Sequence, residues 1–152
     1  MAYSIIEQET KDLDLFFKDN DKPIHIASAG GQIPFLLAEN DIQNEEFSSE
    51  VSTLEEIFEI ETNPGLIDLL NITTENLQAY LNDFISMARK GFYSYDKTNL
   101  GDFENAYFHL VAKPKPLMDL KISTLTEKLL KIDTVLPTDF TSFNLFELID
   151  SK

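Results

Sequence analysis

The chain has 152 residues, no cysteine and a formal net charge of −15. Without cysteine there are no disulfides, thiol nucleophiles or thiolate zinc sites, and a charge of this sign disfavours phosphate-backbone binding, which rests on cationic contacts. No run approaches the ~20 apolar residues of a membrane-spanning helix, while 43% hydrophobic content with 12 phenylalanines is enough for one sizeable core.

In chain order, Ser4 with Glu7 three residues on reads as a capping box, and Ile6, Leu13, Phe16 and Phe17 make a partial apolar face. This predicts a helix over residues 4–18. Lys18 to Pro23 is turn chemistry. Ile24 to Ser28 alternates as a strand. The Gly30-Gly31 pair then predicts a hairpin into Gln32–Leu37. The competing reading of Ala29-Gly30-Gly31 is an anion-holding loop, but the phosphate-loop spacing is absent and no lysine follows.

Residues 39–51 read as an acidic loop or frayed helix pinned by Phe47. The stretch LEEIFEIE ends in a strand, and Asn63-Pro64-Gly65 is a turn. Leu66–Leu70 is a short apolar piece of open type.

The clearest element follows. Leu77, Tyr80, Leu81, Phe84, Ile85 and Ala88 form one stripe of helical period. Thr73 or Thr74 supplies the cap, and Arg89, Lys90 and Gly91 mark the stop. Phe92–Tyr95 and Ala106–Ala112 are β-prone runs joined by a link too short for a parallel crossover, so they pair antiparallel. Beyond Pro116, residues 117–122 predict a further strand and residues 124–132 a short helix. The apolar C-terminal run from Phe140 to Ile149 is expected to dock on the body.

The expectation is therefore a single α+β domain, residues 1–152, with a mainly antiparallel sheet of four to six strands. Two main helices pack against it, both on one face.

Charge is unevenly placed. Residues 23–88 hold twelve acids and no Lys or Arg, whereas residues 89–152 hold nine of each sign. The candidate ligand site is a polar-aromatic patch. Tyr93 and Tyr95 alternate onto one side of the first strand, and Tyr107 and His109 onto one side of the second. Arg89, the single arginine, is the natural clamp for an anion. The plain alternative is an ordinary sheet face with its polar tips in water.

His25 and His109 each sit among apolar neighbours, with no HExxH or other ligand spacing, so no metal or cofactor is expected. No nucleophile elbow is present.

The leading reading is thus a non-catalytic binding or interaction module whose acidic segment meets a basic protein, with an inhibitor or immunity-type role as an analogy only. The alternative is a small enzyme or ligand-binding protein using His109, the nearby tyrosines and a carboxylate. A third, plainer one is that the charge serves solubility alone. The composition, with no leader signal at the start of the chain, fits a cytoplasmic location.

Overall fold

The structure is a computed structural model and describes residues 2–115 and 127–149. Within them the elements are α1 (Ile5–Thr10), β1 (Asp14–Asp19), β2 (Lys22–Ala27), α2 (Phe35–Ala38), α3 (Asp41–Val51), β3 (Ile60–Thr62) and α4 (Leu66–Leu70). They continue with α5 (Thr74–Arg89), β4 (Tyr93–Lys97), β5 (Tyr107–Pro114), β6 (Lys131–Ile132), β7 (Phe143–Asn144) and α6 (Leu145–Ile149). The chain is a single α+β domain. Among the described residues its sheet has seven strands, in the order β3-β5-β4-β2-β1-β6, with β7 also on β5.

The sheet is mixed rather than mainly antiparallel, and larger than the four to six strands expected. β1–β2, β3–β5, β4–β5 and β5–β7 are antiparallel, while β2–β4 and β1–β6 are parallel. The long excursion through α3 and α5 between β2 and β4 makes the parallel pairing possible.

The capping box at Ser4 forms as expected, with both reciprocal bonds present. The helix it opens, however, ends at Thr10. Leu15 and Phe17 enter one core cluster and Phe16 another. An apolar run buried on both sides suits a strand, not one stripe of a helix. The Lys18–Pro23 turn is where it was expected, now joining β1 to β2 with Asn20 at φ 54.

The hairpin predicted at Gly30-Gly31 does not form. Ala29 and Gly30 take positive φ, and the chain then runs without regular structure into α2. Its backbone is satisfied elsewhere: Gln32 N–H donates to the Phe103 carbonyl, and Ile33 N–H to the Gln8 side chain. The acidic stretch forms α3, with Phe47 buried as the pin. Leu66–Leu70 is helical, and the main helix runs from its Thr73 cap to Arg89.

The strand expected at 117–122 lies outside the described residues, as does the start of the helix expected at 124–132. The end of that segment is a strand, β6, lying parallel to β1.

Both sheet faces are covered. On one, Leu15, Phe17, Ile24, Ile26, Tyr95, Phe108 and Leu110 meet Tyr3, Leu37, Leu136, Leu145 and Ile149. The C-terminus docks here as expected. On the other, α5 and α3 cover the sheet through Leu81, Phe84, Ala88, Phe47 and Val51. The N-terminal segment thus joins the face opposite α5, not the same one.

Two buried asparagines seal strand edges where a ladder partner is missing. Asn44 accepts from Phe16 N–H at 2.8 Å and donates to the Asp14 carbonyl at 2.9 Å, along the open half of β1. Asn63 does the same for β5 between β3 and β7. Its backbone N–H donates to the Val111 carbonyl and its side chain to the Leu110 carbonyl. Each replaces hydrogen bonds that a buried backbone cannot go without.

Candidate functional site

The polar centre of the molecule lies beneath α5. Its inner stripe carries Tyr80 among apolar residues, and below it the sheet presents His25, Ser94, Asp96 and His109 beside the aliphatic Ala27 and Val111. The β4–β5 register sets Asp96 directly opposite His109, so both point to the same face. The Tyr80 hydroxyl reaches both, at 2.7 Å from Asp96 Oδ2 and 3.2 Å from His109 Nε2. Thr98 Oγ1 lies 2.9 Å from His109 Nδ1.

One donor order satisfies every member. Tyr80 donates to Asp96, His109 Nε2–H donates to the tyrosine oxygen, and Nδ1 accepts from Thr98. Burial favours the neutral imidazole this requires, pushing His109 down to about 4. Burial also raises Asp96, to about 6, although the Tyr80 bond and the Lys97 backbone act to lower it and the Asp12 charge adds to the rise. Burial, then the Asp96 charge, raises the Tyr80 phenol far above its ordinary range.

His25 is held in the same manner. Its Nδ1 is 2.7 Å from Ser94 Oγ and its Nε2 2.8 Å from Asp14 Oδ1. Its ring packs between those of Phe16 and Phe84, with centroids at 5.3 and 6.2 Å.

The five residues of the expected patch do not converge. His109 is fully buried under α5. Tyr93 and Tyr95 point to the opposite face. Tyr95 donates to the Pro137 carbonyl, and the Lys22 ammonium sits over the Tyr93 ring. Tyr107 stands exposed at the start of β5. Arg89 is nine residues along α5 from Tyr80, about 13 Å of helix rise, and its Nε lies 3.8 Å from Glu56. The residues that join His109 are Tyr80, Asp96 and Thr98. Two of them left a trace in the sequence: a tyrosine inside an apolar stripe, and an aspartate directly after a β-prone run.

Lys97, at the end of β4, is buried on the other face. Its ammonium donates to the Asn105 carbonyl and lies over the Phe108 ring. Burial lowers its pKa, while Asp102 and Asp96 pull the other way. A Cβ on Gly31 would come within 2.7 Å of the lysine Cδ, Cε and Nζ. The glycine therefore gives Lys97 its room, and Lys97 ties the 99–106 loop to the loop after β2.

The second notable feature is the acidic segment that carries α3, β3, α4 and α5. Residues 39–88 carry all twelve acids of the uncompensated segment. Lys128 meets Glu50 at 3.3 Å, Arg89 meets Glu56, and Lys113 meets Glu61 at 4.0 Å. Glu46, Glu55, Glu59, Asp68, Glu75 and Asp83 are exposed, and among the described residues no cation lies within ion-pair distance of them.

Among the described residues, no three His, Asp or Glu side chains are placed to share a metal ion, and no helix is long and apolar enough to cross a membrane. Comparison with protein-family profiles, with curated proteins and with solved structures gave no match.

Proposed function

We propose that this protein is a non-catalytic interaction module whose acidic helical layer engages a basic protein. The observation that carries this reading is the one-sidedness of the charge. The segment from Glu39 to Asp83 holds twelve acids without an interspersed Lys or Arg, and three cations beyond it, Arg89 at the end of α5, Lys113 and Lys128, each meet a single acid there. A surface of one sign raises the encounter rate with an oppositely charged partner and repels phosphate. The polar cluster supports the non-catalytic part: both histidines have both ring nitrogens hydrogen-bonded within the protein, and His109 has no exposed surface.

The test is capture on the immobilised protein at low and high salt, beside a variant with Glu46, Glu55 and Glu59 changed to Gln and Asp83 to Asn. A basic protein retained at low salt, released at high salt and lost on the variant is the expected result. Equal retention by the variant, or no retention at either salt, sinks the reading.

A second reading has one observation in its favour. Thr98, His109, Tyr80 and Asp96 form a continuous hydrogen-bond chain, and Thr98 at its end is half-buried. A hydroxyl next to a base that is oriented by a third group has the form of an activated nucleophile. Selective phosphonylation of Thr98 by a fluorophosphonate probe, or its acylation by a lactone, absent in His109→Gln, would favour it over the first.

A further inference from the structure

The hydrogen-bond chain under α5 can be satisfied in two ways, not one. In the donor order given above, every hydrogen points toward Asp96. That carboxylate is met by donors, the Tyr80 hydroxyl and the Lys97 backbone N–H. A proton placed on it needs an acceptor, because a buried donor without one is costly. The Tyr80 oxygen, 2.7 Å away, can accept. The tyrosine hydrogen must then turn elsewhere. Among the described residues its other partner is His109 Nε2, at 3.2 Å. That nitrogen accepts only when the imidazole hydrogen sits on Nδ1, from where it donates to Thr98 Oγ1 at 2.9 Å. All three bonds persist with their direction reversed.

The geometry points to a proton-driven switch, in which protonation of Asp96 reverses the chain and turns the Thr98 hydroxyl hydrogen outward. Asp96 is 4% exposed, whereas Thr98 is half-buried, so the proton enters at the Thr98 end. Thr98 passes its hydrogen to Nδ1 and takes another from a hydronium ion, which leaves as water. Nε2 passes its hydrogen to the Tyr80 oxygen, and Tyr80 passes its own to Asp96 Oδ2. One proton has entered and one carboxylate charge is neutralised. With Asp96 charged, Thr98 offers only its oxygen to the surface; with Asp96 neutral, it offers its O–H. A carbonyl or carboxylate at Thr98 is therefore favoured in the acid form. The switch requires neither a bound partner nor a nucleophilic Thr98.

Asp96 is faced by Tyr80 from α5 and by His109 from β5. The adjacent Lys97 on β4 favours its charged form, and Asp12, in the segment before β1, opposes it. β2 sets uncharged Ala27 beside it, and His25, two residues back, is engaged by Asp14 and Ser94. Burial outweighs these, raising Asp96 to about 6 and lowering His109 to about 4. Between those values the carboxyl holds its proton while the imidazole is neutral, as the reversed chain requires.

Long-range proton–nitrogen spectra of the intact, nitrogen-labelled protein read the tautomer directly, with His109 assigned by its loss in His109→Gln. The expected result is a hydrogen on Nε2 in neutral solution and on Nδ1 in the acid form, exchanging with a midpoint at about 6. Asp96→Asn removes the titrating carboxyl and should hold one tautomer throughout. Tyr80→Phe breaks the chain, so the imidazole should no longer respond there. Thr98→Val removes the hydroxyl and should lose the exchange, whereas Thr98→Ser should keep it. Nε2 keeping its hydrogen on both sides of the midpoint overturns the switch. So does protonation of both nitrogens at that midpoint, or an exchange that persists in Asp96→Asn or Thr98→Val. The wild-type spectra decide without any variant, so a Tyr80→Phe chain that fails to fold leaves the test standing.

Discussion

The two faces of one sheet are buried by different means. Facing the C-terminal segment, β2 offers Ile24 and Ile26; facing α5, the same strand offers His25 and Ala27. β4 and β5 divide likewise, with Tyr95, Phe108 and Leu110 on one side and Ser94, Asp96 and His109 on the other. The first face is held by shape and apolar area. The second needs partners as well, because a buried polar group without a hydrogen bond is expensive. The Tyr80 contact with Asp96 and His109 therefore helps set where α5 lies on the sheet, a specification that aliphatic packing alone does not provide.

The strongest way to break the contrast is to truncate each face in turn. Phe17→Ala on the first face and Phe84→Ala on the second should each cost about 3–5 kcal/mol in denaturant unfolding. The difference should show in specificity. Phe17 is surrounded by apolar residues, whereas Phe84 touches the His25 and Tyr80 rings, so Phe84→Ala should also disturb the imidazole signals. A loss below 1 kcal/mol at either site would remove that residue from the core.

Next in size are the edge seals. Asn44→Ala strips the Phe16 N–H, the Asp14 carbonyl and the Tyr3 hydroxyl of a side-chain partner, two of these bonds being fully buried, and Asn63→Ala strips the Leu110 and Phe140 carbonyls and the Gly65 N–H, of which only the Leu110 bond is fully buried. With about 1–3 kcal/mol for each buried group left unpaired, Asn44→Ala should be the more damaging. Hydrogen exchange should quicken locally, at Phe16 in that variant. If the two variants are equally mild, below 0.5 kcal/mol, water replaces the amides and the edges are not sealed by them.

The polar cluster makes an opposite pair of pH dependences. Asp96 has a folded pKa of about 6, above its unfolded value, so its contribution to stability grows as pH falls from 6 toward 4. His109 has a folded pKa of about 4, below its unfolded value, so its contribution is lost as pH falls from 6.5 toward 4. Each shift corresponds to something on the order of 3 kcal/mol, and in the wild type they largely cancel across that window. Relative to wild type, His109→Gln should gain stability on acidification from pH 6.5 to 4, and Asp96→Asn should lose it. Unfolding curves at several pH values measure this. Both differences staying flat would show that neither group is titrating in the folded protein as described.

Elements that local chemistry determines were legible in the sequence. The Ser4 capping box, the stripe and stop of α5, the antiparallel β4–β5 pair and the buried C-terminal run all follow from neighbours within a few residues. The parallel β2–β4 pairing was not legible, because Gly30-Gly31 suits a hairpin as well as it suits making room for Lys97, 66 positions later in the chain. β1 was misread because Phe16 and Phe17, adjacent in a partial helical stripe, go to opposite sides of the sheet. The site was half legible: His109 was singled out, but its company depends on a register and a helix position. Tyr80 and Asp96 therefore replace Tyr93 and Tyr95 beside it.

The smallest expected effect separates the two sides by charge. Lys128 bridges to Glu50 on α3, and Arg89 to Glu56 just beyond it, with the side chains of both pairs about half exposed. Such pairs contribute about 0–1 kcal/mol and weaken with salt. Lys128→Gln should therefore change stability by less than about 1 kcal/mol, and added salt should reduce the difference further. The same substitution removes one of the cations that meet the acidic layer, so it should strengthen capture of a basic partner at low salt while leaving the fold alone. Weaker capture by Lys128→Gln would mean that the lysine itself contacts the partner. An unchanged interaction would mean that the partner approaches nearer α5 than the outer end of α3.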